Sequence, residues 1–324
     1  MESYPAQERI FLTILREIGA RHKIQLDFLN QGWLIRLTKG LVQKYIYGYL
    51  FELNSAAGAQ LCNDKAAASS ILSLSGIPNV EHQLFSHPGF VPYVPTSGVW
   101  SAIHAFAKKH DQQLVCKPKD GTGGRDVFQV TNLQQLEASV QKIFTKHVDL
   151  CLSPYYKVSQ EYRVIMLGGK PELIYRKIRP ELIGDGQSKI NDLFIQSLSL
   201  LSNSQKKDFL KGLDASFFVS EKVLDKGEPL VVQWKHNLCM GAKADLTISS
   251  DKYLSLAELA RSALKALNMN FASVDIIESQ NKLKVLEVNS GVMMDHFVEQ
   301  LSEKGYQIAE SIYEKACLMM FEQK

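Results

Sequence analysis

The chain has 324 residues, of which 45% are hydrophobic and 22% charged, as in an ordinary soluble globular protein of roughly two or three domains. A formal net charge of +3 is too small to indicate a nucleic-acid-binding surface. No run approaches roughly 18 uninterrupted apolar residues and the first residues lack a secretory pattern, so we expect no membrane span and a cytoplasmic location.

The first third of the chain predicts helices separated by short strands. Residues 7–19 have apolar side chains at helical spacing, and we expect Gly19 to end this helix. Aromatic and β-branched residues between 32 and 54 predict short strands or a hairpin. Two further helices are predicted, over residues 63–78 after an Asn/Asp cap and over residues 98–110.

From residue 112 the pattern becomes strand, glycine loop, strand. The predicted strands are "QQLVCKP" (112–118) and "DVFQV" (126–130), and the loop between them holds three glycines. A Walker A loop or a dinucleotide fingerprint must open a helix, and GK[ST] and GxGxxG are also lacking, which disfavours both. Taken alone, such a loop is more often a plain hairpin turn than a phosphate cradle.

The second half predicts hairpins that alternate with helices, which indicates α+β layers rather than a doubly wound parallel sheet. Gly168-Gly169 is a strong hairpin signal between two strands. The other predicted elements are helices over 190–203, 202–214 and 254–267, a strand over 228–238, a second hairpin of 271–279 with 282–291, and a C-terminal helix over 295–322.

Two carboxylates and an amide stand near the end of the second hairpin. Alternation puts Glu287 and Asn289 on one face of a strand, and Asp275 can lie opposite them. Hard oxygen ligands of this kind suit Mg²⁺, whose octahedron phosphate oxygens and waters would complete. The alternative is a solvated strand face with chance acids.

Positively charged residues recur at the ends and along the edges of the predicted strands. Lys117 closes an apolar strand, where an ammonium can meet a phosphate. Alternation sends Lys177 and Arg179 to one face of their strand and Arg176 to the other. Lys235 and Asn237 end the strand over 228–238. Each of these residues, taken alone, is ordinarily a solvated surface group.

In their order along the chain, these segments resemble the ATP-grasp superfamily, in its carboxylate–amine ligase branch that includes cyanophycin synthetase and bifunctional glutathione synthetase. The matching segments cover roughly residues 60–297 and begin with "NDKAAASSILSLSGIPNV", "VCKPKDGTGGRDV" and "EYRVIMLGGKP". They continue with "IRPELIGDGQSKINDL", "KGEPLVVQWKHNLCMGAKADLT" and "VDIIESQNKLKVLEVNSG". The resemblance implies an α+β ATP-grasp fold of two subdomains that clasp ATP, with regions 1–60 (pre-ATP-grasp), 61–155 (small subdomain) and 156–324 (C-terminal subdomain).

The resemblance also assigns roles. Catalytic roles fall to Arg163 at the substrate carboxylate or acyl phosphate, and to Arg176 and Lys177 at the transferring phosphate. Two Mg²⁺ ions, with Mn²⁺ as an alternative, would be held by Asp275, Glu287 and Asn289. The residues assigned to ATP are Lys65, Lys117, Gly121, Gly123, Gly124 and Arg125 at the phosphates, Leu152, Ser153 and Pro154 at the adenine hinge, and Lys235 and Asn237.

The expected reaction is ATP-dependent amide or peptide bond formation through an acyl phosphate. The substrates would be a small carboxylate and an amine, such as amino acids or peptides, and a homodimer is compatible with the sequence. Two alternatives stay open, a small-molecule phosphotransferase and a nucleotide-binding scaffold without catalysis. The sequence departs from the family pattern at several positions, among them Asp126, where relatives often carry glycine.

Overall fold

The computed structural model describes residues 8–87, 89, 100–121, 124, 126–199, 206, 210 and 221–322. The helices are α1 (Ile10–His22), α2 (Ala56–Asn63), α3 (Lys65–Leu74), α4 (Trp100–Lys109), α5 (Leu133–Phe144), α6 (Ile190–Ser199), α7 (Ser250–Ala266) and α8 (Asp295–Glu322). The first eight strands are β1 (Gln25–Leu29), β2 (Leu34–Lys39), β3 (Val42–Tyr47), β4 (Leu50–Phe51), β5 (Gln83–Ser86), β6 (Leu114–Pro118), β7 (Phe128–Val130) and β8 (Asp149–Pro154). They are followed by β9 (Gln160–Leu167), β10 (Lys170–Ile178), β11 (Glu181–Ile183), β12 (Pro229–Val231), β13 (Lys243–Asp245), β14 (Phe271–Ser279) and β15 (Lys282–Asn289).

The predicted α+β class is confirmed by this alternation of antiparallel sheets and helices. The chain divides into two compact units, one of Met1–Ile174 with Ile248–Lys324 and one of Tyr175–Thr247. The predicted region boundaries near residues 60 and 155 stay a prediction. Within the described ranges, no helix has the length and apolar character needed to cross a membrane.

The first unit begins with helix α1 and the antiparallel meander β1-β2-β3-β4. The prediction that Gly19 ends α1 is wrong, because the helix continues to His22. A side chain at Gly19 would place its Cβ 2.8 Å from the Leu26 side chain, so this glycine serves close packing against β1. Lys23, with φ at 55°, ends the helix instead.

Helix α3 starts where the sequence predicts it. The Asp64 carboxylate accepts from the backbone N–H groups of Ala66 and Ala67 at 3.0 Å, as expected for an N-cap. Lys65 is therefore the first residue of the helix, at the end that favours anions. The preceding helix α2 was not predicted.

A small sheet in the order β5-β8-β6-β7 carries the glycine loop. Strands β6 and β7 pair antiparallel across that loop, which confirms the predicted strand–loop–strand pattern. One face of the sheet packs with α4 and α5 in a core that includes Leu114, Cys116 and Leu152. Helix α5 and strand β5 were not predicted.

A second sheet of the first unit contains the strands β9, β14 and β15. Both predicted hairpins are confirmed, and Gly168 and Gly169 have φ of 58° and 74°, which glycine adopts without strain. Strand β14 is buried along nearly its whole length. Helix α8 has the predicted bounds and is interrupted at Ser302, where φ is 50° and ψ is −128°.

In the second unit, Arg176–Ile178 of β10 pair with β13, and β11 pairs with β12. The predicted strand over 228–238 is wrong beyond Val231, because its partner β11 is only three residues long. The chain continues irregularly into a 3₁₀ helix, Leu238–Met240. The predicted helix over 202–214 lies outside the described residues except for residues 206 and 210.

Candidate functional site

Three charged side chains of the first unit form a row across neighbouring strands. Asp275 on β14 lies opposite both Arg163 on β9 and Glu287 on β15. Arg163 donates from Nε to Asp275 Oδ1 at 2.8 Å and from Nη2 to Oδ2 at 2.7 Å. Asp275 is only 2% exposed, and this bidentate pair compensates its buried charge.

A β-bulge brings Glu287 into that row. From the hairpin turn outwards, Ile276 pairs with Val285, yet the next residue, Asp275, pairs with Glu287. Leu286 is therefore the extra residue of the bulge. In a regular ladder without a bulge, Leu286 and not Glu287 would stand opposite Asp275.

The structure brings the three residues of the predicted metal site together. Asn289 donates from Nδ2 to Glu287 Oε1 at 3.2 Å, so these two side chains share a face, and Asp275 lies directly opposite Glu287. Among the described residues no group of three or more His, Cys, Asp or Glu side chains could hold a metal, so the Asn289 amide oxygen is needed as a third ligand. The donor set therefore fits a hard divalent cation.

Lys117 is the most deeply buried of the predicted nucleotide-binding cations that the structure describes, at 7% exposure. Burial lowers the pKa of its ammonium, and the Glu287 carboxylate acts in the opposite direction. Lys65 also lowers the pKa of Lys117, so two cations act on each other here. A multiply charged anion would relieve that repulsion.

Lys65 holds the start of the glycine loop. Its Nζ donates to the backbone oxygens of Lys119 at 3.3 Å and Gly121 at 3.0 Å. Gly124 has φ at 70°, a conformation that favours glycine. The other two predicted loop residues, Gly123 and Arg125, lie outside the described residues.

The predicted adenine-hinge residues lie at the end of β8. Leu152 is fully buried in the core of the small sheet, so only its backbone could contact a nucleotide. Ser153 is 2% exposed and pairs with Val115 of β6, and Pro154 is the last residue of the strand.

In the second unit, the two predicted catalytic cations differ in their surroundings. Arg176 lies opposite Asp245 and donates from Nη2 to its Oδ2 at 2.5 Å. Lys177 is 4% exposed. Burial, followed by the charges of Arg179 and Lys177, lowers the pKa of His236 to about 3, so this ring is neutral.

The remaining two predicted ATP residues have local contacts in the same unit. The Lys235 ammonium lies 5.7 Å from the centre of the Trp234 ring, within the range of a cation–π interaction. Asn237 accepts from the Cys239 backbone N–H at 3.2 Å and so caps the 3₁₀ helix. Their contact with ATP stays a prediction.

Two residues near Lys117 were not predicted as site residues from the sequence. Glu161 is 8% exposed, and its carboxylate raises the pKa of Lys117. Its position two residues before Arg163 on β9 was a signal that the two share a face. His82 is the other neighbour, and a single histidine between two elements gave no signal.

Comparison with known proteins gives relatives of low identity, and no family model matches the chain. The cyanophycin synthetase of Geminocystis herdmanii is 24% identical over 297 residues, which cover 87% of this chain and 32% of that protein. The tetrahydromethanopterin:alpha-L-glutamate ligase of Methanocaldococcus jannaschii is 24% identical over 268 residues, 81% of this chain and 69% of that protein. The chain thus spans about a third of the length of the cyanophycin synthetases that it matches.

A solved structure also matches. The D-alanine–D-alanine ligase of Bacillus anthracis has a TM-score of 0.53 at 14% sequence identity, and the match covers 84% of this chain and 72% of that chain. At this identity the likeness shows a shared fold.

Proposed function

The chain has the ATP-grasp fold, and from that premise we propose that it is an ATP- and Mg²⁺-dependent carboxylate–amine ligase. The observation that carries the proposal is that the buried Lys117 ammonium lies within the electrostatic influence of Glu287, the central residue of the Asp275–Glu287–Asn289 set, whose charge raises the pKa of Lys117. A cationic side chain that can bind phosphate, close to oxygen ligands that can bind a metal, suits a nucleoside triphosphate.

We assign the phosphates to Lys65 and Lys117 and to the glycine loop. Lys65 adds its charge at the start of α3 and orders the loop through Gly121. Backbone N–H groups of a glycine loop approach phosphate oxygens closely because no side chain intervenes. Gly123, Gly124 and Arg125 are assigned to the same loop, which would close over ATP and exclude water.

Asp275, Glu287 and Asn289 would hold the metal. When bound, Mg²⁺ neutralises the negative charge of the phosphates and of the phosphoryl group in transfer. Mn²⁺ takes similar oxygen ligands and is the alternative ion.

Arg163 is assigned to the reacting carboxylate. Two hydrogen bonds to Asp275 fix the orientation of the Arg163 guanidinium, so this cation is already positioned before a substrate binds. The substrate carboxylate oxygen would attack the γ-phosphorus, ADP would leave, and an amine would then attack the acyl carbon and expel phosphate. Arg176 and Lys177 are assigned to the charge that develops on the transferred phosphoryl group.

We propose small-molecule substrates and, by chemical analogy with the relatives, an amino acid or peptide as carboxylate and amine. A cytoplasmic location is supported by the cysteines, none of which forms a disulfide: Cys62, Cys116, Cys151, Cys239 and Cys317. A homodimer is compatible with the sequence and stays a prediction.

The test is a phosphate-release screen of the purified protein with ATP, Mg²⁺, and amino acids and short peptides singly and in pairs. We expect phosphate release only when both a carboxylate and an amine are present. A stable phosphorylated product without an amine would instead identify a phosphotransferase.

Glu287→Gln provides the matched variant, because it keeps the shape of the side chain and removes the charge. We expect at least a hundredfold loss of Mg²⁺-dependent turnover, in the range found when a group that stabilises the transition state is removed. Glu258→Gln is the control, since that side chain is 70% exposed and pairs with Arg261 on the surface. Undiminished turnover of Glu287→Gln would overturn the metal assignment.

A further inference from the structure

His82 lies in the segment that joins helix α3 to strand β5, and it is 5% exposed. Its backbone N–H donates to Ser69 Oγ at 3.1 Å, and Ser69 lies one helical turn after Lys65 on α3. The neighbouring Val80 N–H donates to the Val285 oxygen of β15 at 2.9 Å. These bonds connect His82 with the helix of Lys65 and with the strand of the proposed metal ligands.

A hydrogen bond of the His82 ring fixes which nitrogen carries the proton. Nδ1 lies 2.9 Å from the Val80 backbone oxygen, and because a carbonyl oxygen only accepts, Nδ1 must donate. Burial, followed by the Lys117 and Lys65 charges, places the pKa of His82 well below its ordinary range, so the ring is neutral. Nε2 then presents a lone pair, and it has no hydrogen-bond partner in the part of the chain that the structure describes.

Strand register gives Leu84, two positions after His82, the same face of the small sheet as Lys117. Leu84, Cys151 and Lys117 form one row across β5, β8 and β6. Alternate residues of an extended chain share a face, and His82 stands two positions before Leu84. The other face packs into the core through residues such as Leu152.

We propose that His82 is a positioning residue for Lys117, whose ammonium donates one hydrogen bond to His82 Nε2 when a nucleotide is bound. An ammonium has three donors, so a bond to His82 leaves two for phosphate oxygens and fixes their direction. Lys65 is the weaker candidate for this bond, because its Nζ already donates to Lys119 and Gly121. The inference rests on the proposed function, which assigns Lys117 to the phosphates.

Two substitutions distinguish the roles of the two ring nitrogens of His82. His82→Asn retains a donor at the position of Nδ1, which bonds Val80, and removes the acceptor at Nε2. His82→Gln places an amide oxygen near the position of Nε2 and loses the donor to Val80. His104→Asn is the control for a histidine on another element, helix α4.

The measurement is the Kd of a fluorescent, non-hydrolysable ATP analogue with Mg²⁺ for the full chain. We expect His82→Asn to raise the Kd by tenfold or more, in the range of a lost hydrogen bond to a charged group, and His82→Gln to stay within about threefold of wild type. A purely structural role predicts the opposite order, since His82→Gln loses the buried bond to Val80.

A double-mutant cycle with Lys117→Met tests whether His82 acts through Lys117. We expect His82→Asn to cause no further rise in Kd when Lys117 is already replaced. An equal rise in both backgrounds, or a His82→Asn variant that binds like wild type, overturns the inference and leaves the proposed function standing. A wild-type protein that binds no ATP analogue overturns both.

Discussion

Two buried charges of the first unit differ in how they are compensated. Asp275 is 2% exposed, and the Arg163 guanidinium meets both of its oxygens. Lys117 is 7% exposed, and among the described residues only the charges of its neighbours, with no hydrogen bond, act on its ammonium. The first is a closed pair that contributes to the stability of the sheet. The second is a charge whose burial disfavours the folded state and which a bound anion would satisfy.

The closed pair provides the largest expected effect on stability. Asp275→Asn keeps the shape of the side chain and leaves the Arg163 guanidinium without its charged partner. We expect a loss of about 3 kcal/mol in the free energy of unfolding, measured by urea denaturation. Asp245→Asn, which breaks the more exposed pair with Arg176, is the control and should lose about 1 kcal/mol or less. Equal losses in the two variants would show that Asp275 is not a specially buried partner.

The buried ammonium should respond in the other direction. Lys117→Met replaces a desolvated charge by an apolar chain of similar length, so we expect the free energy of unfolding to stay within about 1 kcal/mol of wild type or to rise. Affinity for the ATP analogue should fall roughly tenfold to a hundredfold, because a charge-assisted contact with phosphate is lost. A variant that is strongly destabilised and still binds ATP would reverse the contrast between Lys117 and Asp275.

The row of Asp275 and Glu287 shows how far sequence periodicity reaches. Alternation correctly placed Glu287 and Asn289 on one face, because both lie in the regular part of β15 beyond the bulge. The pairing of Asp275 with Glu287 depends on the bulge at Leu286, and a regular ladder from the Gln280–Asn281 turn would pair Asp275 with Leu286. Nothing in the residue pattern marks that bulge.

Periodicity failed where a strand lacked a partner of equal length. The apolar pattern over 228–238 is that of a strand, yet β12 ends at Val231 with its partner β11. A pattern reports the preference of one segment, whereas a strand requires a neighbour to accept its hydrogen bonds. The place of His82 beside Lys117 was equally hidden, because it depends on the register of three strands.

His236 extends the comparison to the second unit, where an uncharged ring lies near Lys177 and Arg179. Its pKa falls from 6.5 to about 3 on folding, so the unfolded chain binds more protons between these values. Stability from this residue is complete above about pH 6.5 and is lost as the pH falls towards 3, with a slope of up to about 1.4 kcal/mol per pH unit.

His236→Gln should therefore flatten the acid side of the stability profile. The measurement is the free energy of unfolding of wild type and variant in urea at several values between about pH 6 and pH 4. His104→Gln on helix α4 is the control for the loss of a histidine whose side chain is 41% exposed. An unchanged slope in His236→Gln would mean that the ring gains its proton in the folded protein.

The smallest expected effect on stability is at Asp126, which forms an exposed ion pair with Lys146, in contrast with the buried Arg163–Asp275 pair. Its carboxylate lies 3.3 Å from the Lys146 ammonium, whose side chain is 55% exposed, and such pairs contribute about 0–1 kcal/mol. Asp126 also has φ at 50°, in the left-handed region that glycine adopts without strain. The backbone at this position therefore favours glycine.

Asp126→Gly loses the weak pair and relieves the backbone, so we expect Tm to change by about 2 °C or less in either direction. Asp126→Ala loses the same pair and keeps the strain, without the tolerance that aspartate has for this region, and should lower Tm by a few degrees. A large loss in both variants would show that the exposed pair with Lys146 matters. A loss in the alanine variant alone would show that φ, and not charge, selects the residue at this position, in contrast with Asp275.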